Sequence, residues 1–445
     1  MASPGRYRWF VVGTFFAFML LHQADKLLIG PLTTPIMETF AIDEAEMGAV
    51  FTGALIVGAA FYPLWGYLYD RYARAKLLAL ASAIWGLTTW LSAVAPTYPT
   101  FMATRASTGV DDSSYPGLFS LIADYFGPTL RGKVYGLLQL AQPLGYMLGL
   151  ALALLLGEAI GWRNVFLITG GVGVILAGVI FFGVKEAPRG RSEPELADLA
   201  AIGIYRFDWK LARGLFRKQT LIPLFLQGFF GVFPWNVISA WFFRYLETER
   251  GYAADDVLVT MSIAVLVLAG GYFLGGAAGD WLFQRTRRGR LLVCLIGVLT
   301  GAVLLYFTIH VPAGNQLLFL VMLCLTAVFI PLSSANVIAT VYDITEPEVR
   351  STALAVQYFI ENSGAALAPF LTGLLVRELS LTLGNAILLI CVSTWLVGAA
   401  FLAVAAWIAP RDIDALRRTM RARAEAARAA SPVGGAGATR SMDPS

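Results

Sequence analysis

Long apolar segments alternate with short polar connections along almost the whole chain. A helix of about 20 apolar residues can cross the roughly 30 Å hydrocarbon core of a bilayer. These runs contain Gly and Pro and lack the period-two alternation of barrel strands, so they predict helices. The twelve predicted spans cover residues 9–36, 46–69, 77–95, 99–124, 133–157, 163–184, 219–243, 255–283, 291–311, 316–342, 351–377 and 384–408. The pattern therefore predicts an all-α membrane protein.

Two motifs of the first half recur in the second. Asp124-Tyr-Phe-Gly-Pro128-Thr-Leu-Arg131 shares its Asp, Pro and Arg spacing with Asp343-Ile-Thr-Glu-Pro347-Glu-Val-Arg350. Gly66-Tyr-Leu-Tyr-Asp70 likewise recurs as Gly276-Ala-Ala-Gly-Asp280. A membrane chain made of two similar halves is typical of secondary transporters, whose site lies between the halves. We predict a six-helix bundle over 1–184, a cytoplasmic linker over 185–218, a second six-helix bundle over 219–408 and a basic tail over 409–445.

Composition and charge support a membrane location. The chain is 58% hydrophobic and 14% charged, with a mean hydropathy of +0.68, whereas soluble domains are about a quarter charged. Basic residues are concentrated in the tail and in the connections on the side of both termini, above all in 185–218. The positive-inside rule therefore predicts cytoplasmic termini in the cell's inner membrane. This asymmetry accounts for the net charge of +4, so no nucleic-acid partner is expected.

Outside the spans, the sequence predicts only local structure. Tyr205–Phe216 fits a short amphipathic helix on the membrane surface, and 412–430 fits an Arg- and Ala-rich helix. The last residues, 431–445, are small and polar and predict disorder. Cys294, Cys324 and Cys391 lie inside predicted spans without metal or disulfide spacing, so we interpret them as core residues. A monomer is expected.

One loop carries a family resemblance. Gly66-Tyr-Leu-Tyr-Asp70-Arg71-Tyr-Ala-Arg74 resembles the signature of the major facilitator superfamily between helices two and three, and Trp162-Arg163 fits the start of its helix six. Within that superfamily the chain is most similar to the spinster-type lysophospholipid and sphingolipid transporters and their bacterial relatives. The features are Asp25-Lys26, Arg105-x3-Gly109-Val110-x-Asp112 and Pro143-Leu-Gly145. That group usually has Arg where this chain has Lys26, and Glu where it has Asp112. The resemblance implies alternating access in the major facilitator fold, but it does not carry over the substrate.

Ionisable side chains inside the predicted spans are the candidates for proton coupling and substrate binding. An uncompensated charge at the bilayer centre costs at least about 2.5–3.5 kcal/mol, so these groups must pair around a wet cavity. Arg105 and Asp112 share a helix face but differ in depth by roughly 10 Å, so we expect Arg105 to face Asp25 of helix one. A cation beside a buried carboxylate weakens its hold on a proton, so moving that cation would couple protons to transport. The predicted proton-coupling and headgroup-binding residues are Asp25, Lys26, Arg105, Asp111, Asp112 and Glu361, with Asp112 favoured over Asp111 as the proton carrier. Static salt bridges that orient the helices are the alternative.

Two further sets complete the predicted machinery. The gate on the cytoplasmic side would use Gly66, Asp70, Arg71, Arg74, Asp124, Arg131, Asp280, Asp343 and Arg350. Ordinary topology-setting charges are the alternative for this set. The substrate pocket would use His22, Tyr115, Gln139, Gln142, Trp235, Asn236, Asn336, Tyr358 and Asn362. We expect charge in the first half to face a more apolar wall in the second, which suits an amphipathic solute.

Several activities lack their motifs. The chain has no Gly-x4-Gly-Lys-[Ser/Thr] loop, no His-Glu-x-x-His pair and no Gly-x-Ser-x-Gly elbow, so we expect no ATP use, metal, cofactor or catalytic residue. The sequence predicts a proton-coupled secondary transporter for a small amphipathic anion or a lysolipid-type solute. A multidrug/proton antiporter and a non-transporting membrane receptor are the alternatives. The direction of transport stays open.

Overall fold

The computed structural model describes residues 4–29, 32–42, 44–196 and 208–430. Within these ranges, twelve long helices, some of them interrupted, follow one another along the chain. In the first half they are α1 (Pro4–Leu28), α2 (Glu44–Arg71), α3 (Arg74–Ala93), α4 (Tyr98–Ser107, Gly109–Asp112 and Tyr115–Tyr125), α5 (Pro128–Gln139 and Ala141–Ile160) and α6 (Trp162–Gly183). A separate short helix, Thr33–Phe40, follows α1, so the first predicted span, 9–36, is wrong at its end.

The second half repeats this arrangement. Its helices are α7 (Leu221–Gly231 and Phe233–Thr248), α8 (Ala254–Phe283), α9 (Gly289–Ile309), α10 (Gln316–Phe329 and Ser334–Ile344), α11 (Arg350–Leu379) and α12 (Leu383–Ala430). Within the described residues, nine segments are long and apolar enough to cross a membrane by length and composition. The prediction of twelve helices in two six-helix bundles is confirmed.

The linker and tail lie at one end of the molecule, which we call the linker face. Trp209–Gly214 forms a short helix, and the rest of the predicted Tyr205–Phe216 stretch is in part outside the described residues. The predicted tail helix is a continuation of α12 to Ala430, docked through Leu416, Met420 and Ala424 against Leu196. The predicted disordered end, 431–445, lies outside the described residues.

Small residues let helices approach closely, both within and between the bundles. In the first bundle, a Cβ at Gly173 would lie 2.9 Å from the Cα of Gly86, which brings α3 and α6 together. Between the bundles, a Cβ at Gly66 would lie 2.6 Å from the Cβ of Ala355, where α2 meets α11. Such close backbone contacts are the main packing device of helices in lipid. They bring the polar ends of α2 and α11 within hydrogen-bonding reach.

Four helices, α4, α5, α7 and α10, are interrupted beside the space between the bundles. In α4, the Thr108 hydroxyl donates to the Arg105 carbonyl at 2.7 Å, and Pro116 lacks the N–H that a continuous helix needs. In α10, Ile330–Ser333 forms a 3-10 turn that contains Pro331. Interrupted helices are characteristic of transporter binding sites, because irregular backbone is tolerated where it lines a cavity.

Candidate substrate and proton site

A polar chamber of about 370 Å³ lies between the two bundles. From the first bundle it is lined by Lys26, Asp112 and Tyr115, along with glutamines of α1 and α5. From the second bundle it is lined by Trp235, Asn236, Gln227, Gln357, Tyr358, Glu361 and Asn362. The second wall also includes aliphatic side chains, namely Val232, Ile330, Val337, Ile338 and Leu354, whereas the described lining of the first wall is charged, amide or tyrosine. The second wall is therefore the more apolar of the two, as expected, although α7 and α11 also turn amide side chains to this chamber.

An apolar chamber of about 260 Å³ adjoins it between α5, α7 and α8. Its walls are mostly hydrophobic side chains, including Tyr146, Met147, Phe243, Leu258, Met261 and Leu268. Gln23, Gln142, Trp235 and Tyr272 line both chambers. A bound molecule could therefore place a polar end in one chamber and an apolar body in the other.

Four ionisable side chains form what we call the cavity cluster: Lys26, Asp112, His22 and Asp111. Lys26 Nζ lies 2.8 Å from Asp112 Oδ2, and the Lys26 side chain is 40% exposed. His22 Nε2 lies 2.7 Å from Asp111 Oδ2 and 3.5 Å from Asp112 Oδ1. His22 Nδ1 shares a 2.7 Å hydrogen bond with the hydroxyl of Tyr115. The cluster thus reaches from the chamber surface into the first bundle.

The cavity cluster also brings three candidate metal ligands together. Ligand atoms of His22, Asp111 and Asp112 lie within 4.8 Å of one another. Asp112 already has an ammonium partner in Lys26, and both nitrogens of His22 are hydrogen-bonded. A metal ion would displace these contacts, so the arrangement fits a hydrogen-bonded proton network better.

Asp25 and Arg105 lie behind the chamber and do not line it. Asp25 accepts hydrogen bonds from Trp85 Nε1 at 3.0 Å, Thr89 Oγ1 at 3.0 Å and Thr169 Oγ1 at 2.5 Å. Arg105 Nη1 lies 3.9 Å from Asp25 Oδ2, with its guanidinium over the ring of Phe166. The expected pairing of Arg105 with helix one is present. Both groups are turned toward α3 and α6, so neither can contact a solute in the chamber.

The predicted pocket residues likewise divide into those that line the polar chamber and those that do not. Tyr115, Gln139, Gln142, Trp235, Asn236, Tyr358 and Asn362 line the polar chamber. His22 stands one layer behind it, and Asn336 donates to the carbonyls of Gly275 and Leu332 inside the second bundle. Glu361 lines the chamber and accepts from Gln357 Nε2 at 2.7 Å. Among the described lining residues, Lys26 is the one basic side chain.

At the linker face, two aspartates join the bundles in equivalent ways. Asp70 of α2 accepts from the backbone N–H groups of Ser351 and Thr352, at 3.0 and 2.7 Å, at the start of α11. Asp280 of α8 accepts from the N–H groups of Gly132 and Lys133, at the same two distances, in the first turns of α5. Carboxylates are stabilised by the free N–H groups and the dipole of a helix N-terminus. Each bundle therefore caps a helix of the other.

Arginines pair with the repeated aspartates Asp124 and Asp343. Arg131 Nη1 lies 3.4 Å from Asp343 of the second bundle, and Arg350 Nη1 lies 3.7 Å from Asp124 of the first. Arg74 binds Asp124 at 2.6 Å, and Arg290 bonds both Asp343 and Asp280. Arg71 is exposed, with its guanidinium packed on Tyr67 and Tyr72 of its own bundle. Among the described contacts it meets none of these aspartates, unlike Arg74, Arg131 and Arg350.

Glu193 is the centre of what we call the gate cluster: Glu193, Arg131, Arg350 and Arg417. Glu193 is fully buried and accepts from Arg131 Nη2 at 2.7 Å, from Arg350 Nη2 and from Arg417 Nη1 at 2.6 Å. Burial alone would raise the pKa of Glu193, but the three guanidinium groups hold it well below its usual range. One carboxylate thus joins both bundles and the extension of α12.

Comparison with known proteins decides the family. The family model described as Major Facilitator Superfamily matches residues 14–369. The chain belongs to the major facilitator superfamily. It is similar to Protein spinster of Drosophila melanogaster, with 28% identity over 389 residues that cover 84% of this chain and 62% of the relative. It is also similar to the Hexuronate transporter of Bacillus subtilis (strain 168), with 24% identity over 380 residues, 83% of this chain and 88% of the relative.

A solved structure shows the same fold. The proton:xylose symporter XylE, a major facilitator bound to 6-bromo-6-deoxy-D-glucose, superposes with a TM-score of 0.73 at 17% identity, over 90% of this chain and 96% of that chain. The chain spans less than two thirds of the length of the Drosophila relative. The protein is thus a multi-pass membrane transporter of the major facilitator superfamily, related to spinster proteins and to a hexuronate transporter.

Sequence reasoning missed several residues of this major facilitator. Gln357 stands one helical turn before Glu361, so its contact with that carboxylate could have been read from the spacing. Tyr62 and Gln227 line the polar chamber without any local signal. Glu193 and Arg417 lie in the linker and the tail, and only the folded chain shows that they meet.

Proposed function

We propose that this transporter moves an amphipathic anion together with protons, by alternating access between the two bundles. The observation that carries the proposal is the Lys26–Asp112 ion pair at the wall of the polar chamber. An anionic headgroup that binds Lys26 competes with Asp112 for the same ammonium. Once Asp112 loses its cation, a buried carboxylate is best accommodated with a proton. Anion binding and proton uptake therefore favour each other.

The two adjoining chambers support the proposal that the substrate is amphipathic. The polar chamber offers Lys26 to a charged headgroup and amide side chains to the oxygens of that headgroup. The apolar chamber offers a hydrophobic surface to the apolar body of the substrate. Binding sites for small molecules commonly combine an apolar wall with a few placed polar groups. A purely polar solute would leave the apolar chamber unused.

The linker face is the closed side of the proposed cycle. Asp70, Asp280 and the gate cluster seal it, so substrate would enter from the opposite face. The basic residues of the linker and tail favour a cytoplasmic location for this face, in the inner membrane, with the protein acting as a monomer. A cysteine at Lys210 should then be labelled only from the cytoplasm and one at Glu38 only from outside. Reversed labelling would overturn this orientation.

Uptake into proteoliposomes tests the function. Three labelled probes, octanesulfonate, lysophosphatidylglycerol and glucuronate, are offered with and without an inward proton gradient. We expect the gradient to drive accumulation of at least one of the first two. Accumulation of glucuronate alone would contradict the proposal that the substrate is amphipathic. Probe movement in the direction opposite to the protons would instead support an antiporter. Binding of a probe without flux would support the receptor alternative.

A further inference from the structure

His22 and Asp111 lie directly behind the proposed coupling site, where neither is needed for the Lys26–Asp112 pair. Both are buried, and neither lines the polar chamber. The His22 ring stacks on Phe18 and meets Trp85 edge-on, with centroid distances of 5.5 and 5.3 Å. The position of the ring is thus fixed by aromatic packing on two sides, while both its nitrogens keep hydrogen-bond partners.

Charge balance requires a proton at this place. The ionisable groups around His22 are Asp111, Asp112 and Tyr115 from α4 and Lys26 from its own helix; α3 contributes the ring of Trp85. Lys26 neutralises Asp112, which leaves Asp111 with His22 as its one ionisable partner among the described residues. A lone carboxylate inside a membrane bundle is costly, so one proton must be shared between His22 and Asp111.

The two oxygens of Asp112 have different partners. Oδ2 is bonded to Lys26 at the chamber, while Oδ1 lies 3.5 Å from His22 Nε2. A substrate headgroup on Lys26 would cover the chamber side of Asp112. A proton arriving after the substrate must then come from behind, and His22 Nε2 is the group that stands there.

A route from the chamber to His22 is also present. Tyr115 is one of the residues that line the polar chamber, and its hydroxyl shares a 2.7 Å hydrogen bond with His22 Nδ1. Imidazole can accept a proton on one nitrogen while it releases one from the other, which makes histidine a common proton shuttle. Asp111 can stabilise the imidazolium form at every stage, because its Oδ2 lies 2.7 Å from Nε2.

We propose that Tyr115, His22 and Asp111 form a proton relay that feeds Asp112 from the interior of the first bundle. In the transfer, Nδ1 of neutral His22 takes the proton of the Tyr115 hydroxyl, which recovers one from the water of the chamber, so that His22 becomes an imidazolium beside Asp111. The Nε2–H bond of this imidazolium then breaks as an O–H bond forms on Asp112 Oδ1, which leaves His22 neutral with its proton on Nδ1. The inference rests on the proposed function, since it assumes that Asp112 takes up the coupled proton.

The test compares His22→Gln with wild type in proteoliposomes, using octanesulfonate and lysophosphatidylglycerol as probes. Glutamine keeps hydrogen-bonding groups but cannot pass a proton. Since a placed acid–base group typically contributes a hundredfold or more, we expect proton-driven uptake to slow by about a hundredfold. Probe exchange at equal pH on both sides should persist, because it moves no net protons. His310→Gln, an exposed histidine at the end of α9, is the control and should transport like wild type.

Asp111→Asn provides a second variant in case His22→Gln does not fold. It keeps His22 but removes the carboxylate that stabilises the imidazolium, so the pH at which proton-driven uptake is half-maximal should become more acidic. Wild-type rates and an unchanged pH profile in the variants would overturn the relay while leaving proton coupling intact. Absence of proton-driven uptake in wild type would instead overturn the proposed function itself.

Discussion

The gate cluster and the cavity cluster are both buried charge networks, but they hold their carboxylates in opposite ways. Glu193 of the gate cluster has no exposed surface and faces three arginines from α5, α11 and α12. Asp112 of the cavity cluster is 11% exposed and has one strong cation partner, a lysine that is itself 40% exposed. The first carboxylate has an excess of directly bonded cations, whereas the second has one, Lys26 at 2.8 Å, with His22 Nε2 farther away at 3.5 Å.

This difference predicts that the gate cluster keeps its charges fixed, whereas the cavity cluster can change its pairing. Removing one of three guanidinium groups would still leave Glu193 paired, so its charge is insensitive to small movements. Asp112 depends on a single ammonium that a solute can reach from the chamber. Under the proposed function, the cavity cluster and not the gate cluster would therefore respond to substrate and protons, because its carboxylate has fewer cations and a solute can reach its lysine. The predictions below test this contrast in order of expected effect.

The largest effect should come from Glu193→Gln. Losing one partner of a buried charge network costs about 3–5 kcal/mol, and here it leaves three guanidinium groups facing a neutral amide. We expect a lower melting temperature and opening of the linker face, seen as faster thiol labelling of a cysteine placed at the buried Ser351 in a cysteine-free background. Glu195→Gln is the matched control, because Glu195 bonds Arg417 alone within the described residues. Equal effects in the two variants would contradict the central role of Glu193.

The two capping aspartates should differ in a smaller but measurable way. Asp280 has an arginine at 2.7 Å in addition to its two N–H donors, whereas the arginine near Asp70, Arg189, lies 3.8 Å away. Asp70→Asn should lose mainly the helix-end interaction, up to about 2 kcal/mol, and so change the ratio of open to closed states by up to about thirtyfold. Asp280→Asn should open the linker face more than Asp70→Asn does, because it also loses the ion pair with Arg290. The same Ser351 cysteine reports both, and a larger effect at Asp70 would reverse the ranking.

The gate cluster should also be insensitive to pH in the physiological range. The folded-state pKa of Glu193 is held well below its usual value by its arginines, so its stabilising contribution is present above the unfolded pKa of about 4.3. That contribution is lost only as the pH falls through the lower folded-state pKa. The difference in melting temperature between wild type and Glu193→Gln should stay constant from about pH 6 to 8. A difference that shrinks toward pH 6 would show that Glu193 titrates there.

Arg71→Gln should have no measurable effect on the same labelling assay. Arg71 is exposed and contacts tyrosines of its own bundle, although it belongs to the signature loop. Gate opening in this variant would mean that Arg71 reaches the other bundle in a state of the cycle other than this one.

The contacts between the predicted gate residues could largely be foreseen because the chain repeats itself. Asp124 and Arg131 recur as Asp343 and Arg350, and equivalent positions in two similar bundles face each other across their interface. Apolar runs likewise predicted the helices, since lipid leaves few alternatives for the backbone. The motif did not show that Arg71 packs on Tyr67 and Tyr72 of its own bundle, because a motif does not state which of its charges crosses the interface.

The site was less predictable, because its residues depend on the rotation and interruption of helices. Arg105 and Asp112 are seven residues apart and should share one face of a regular helix, but α4 is interrupted between and after them. Arg105 consequently faces Asp25 and Phe166, while Asp112 faces the chamber. Glu193 and Arg417 meet only after the linker and tail have folded back on the bundles.

Net accumulation and exchange in Asp112→Asn proteoliposomes test the central claim most directly. Asparagine mimics the protonated carboxyl group permanently, so an inward proton gradient should no longer concentrate octanesulfonate or lysophosphatidylglycerol. Exchange of the same probe across the membrane should continue, because exchange needs no net proton movement. Concentration of either probe by Asp112→Asn in response to the pH gradient would contradict the account and place the coupled proton on another group.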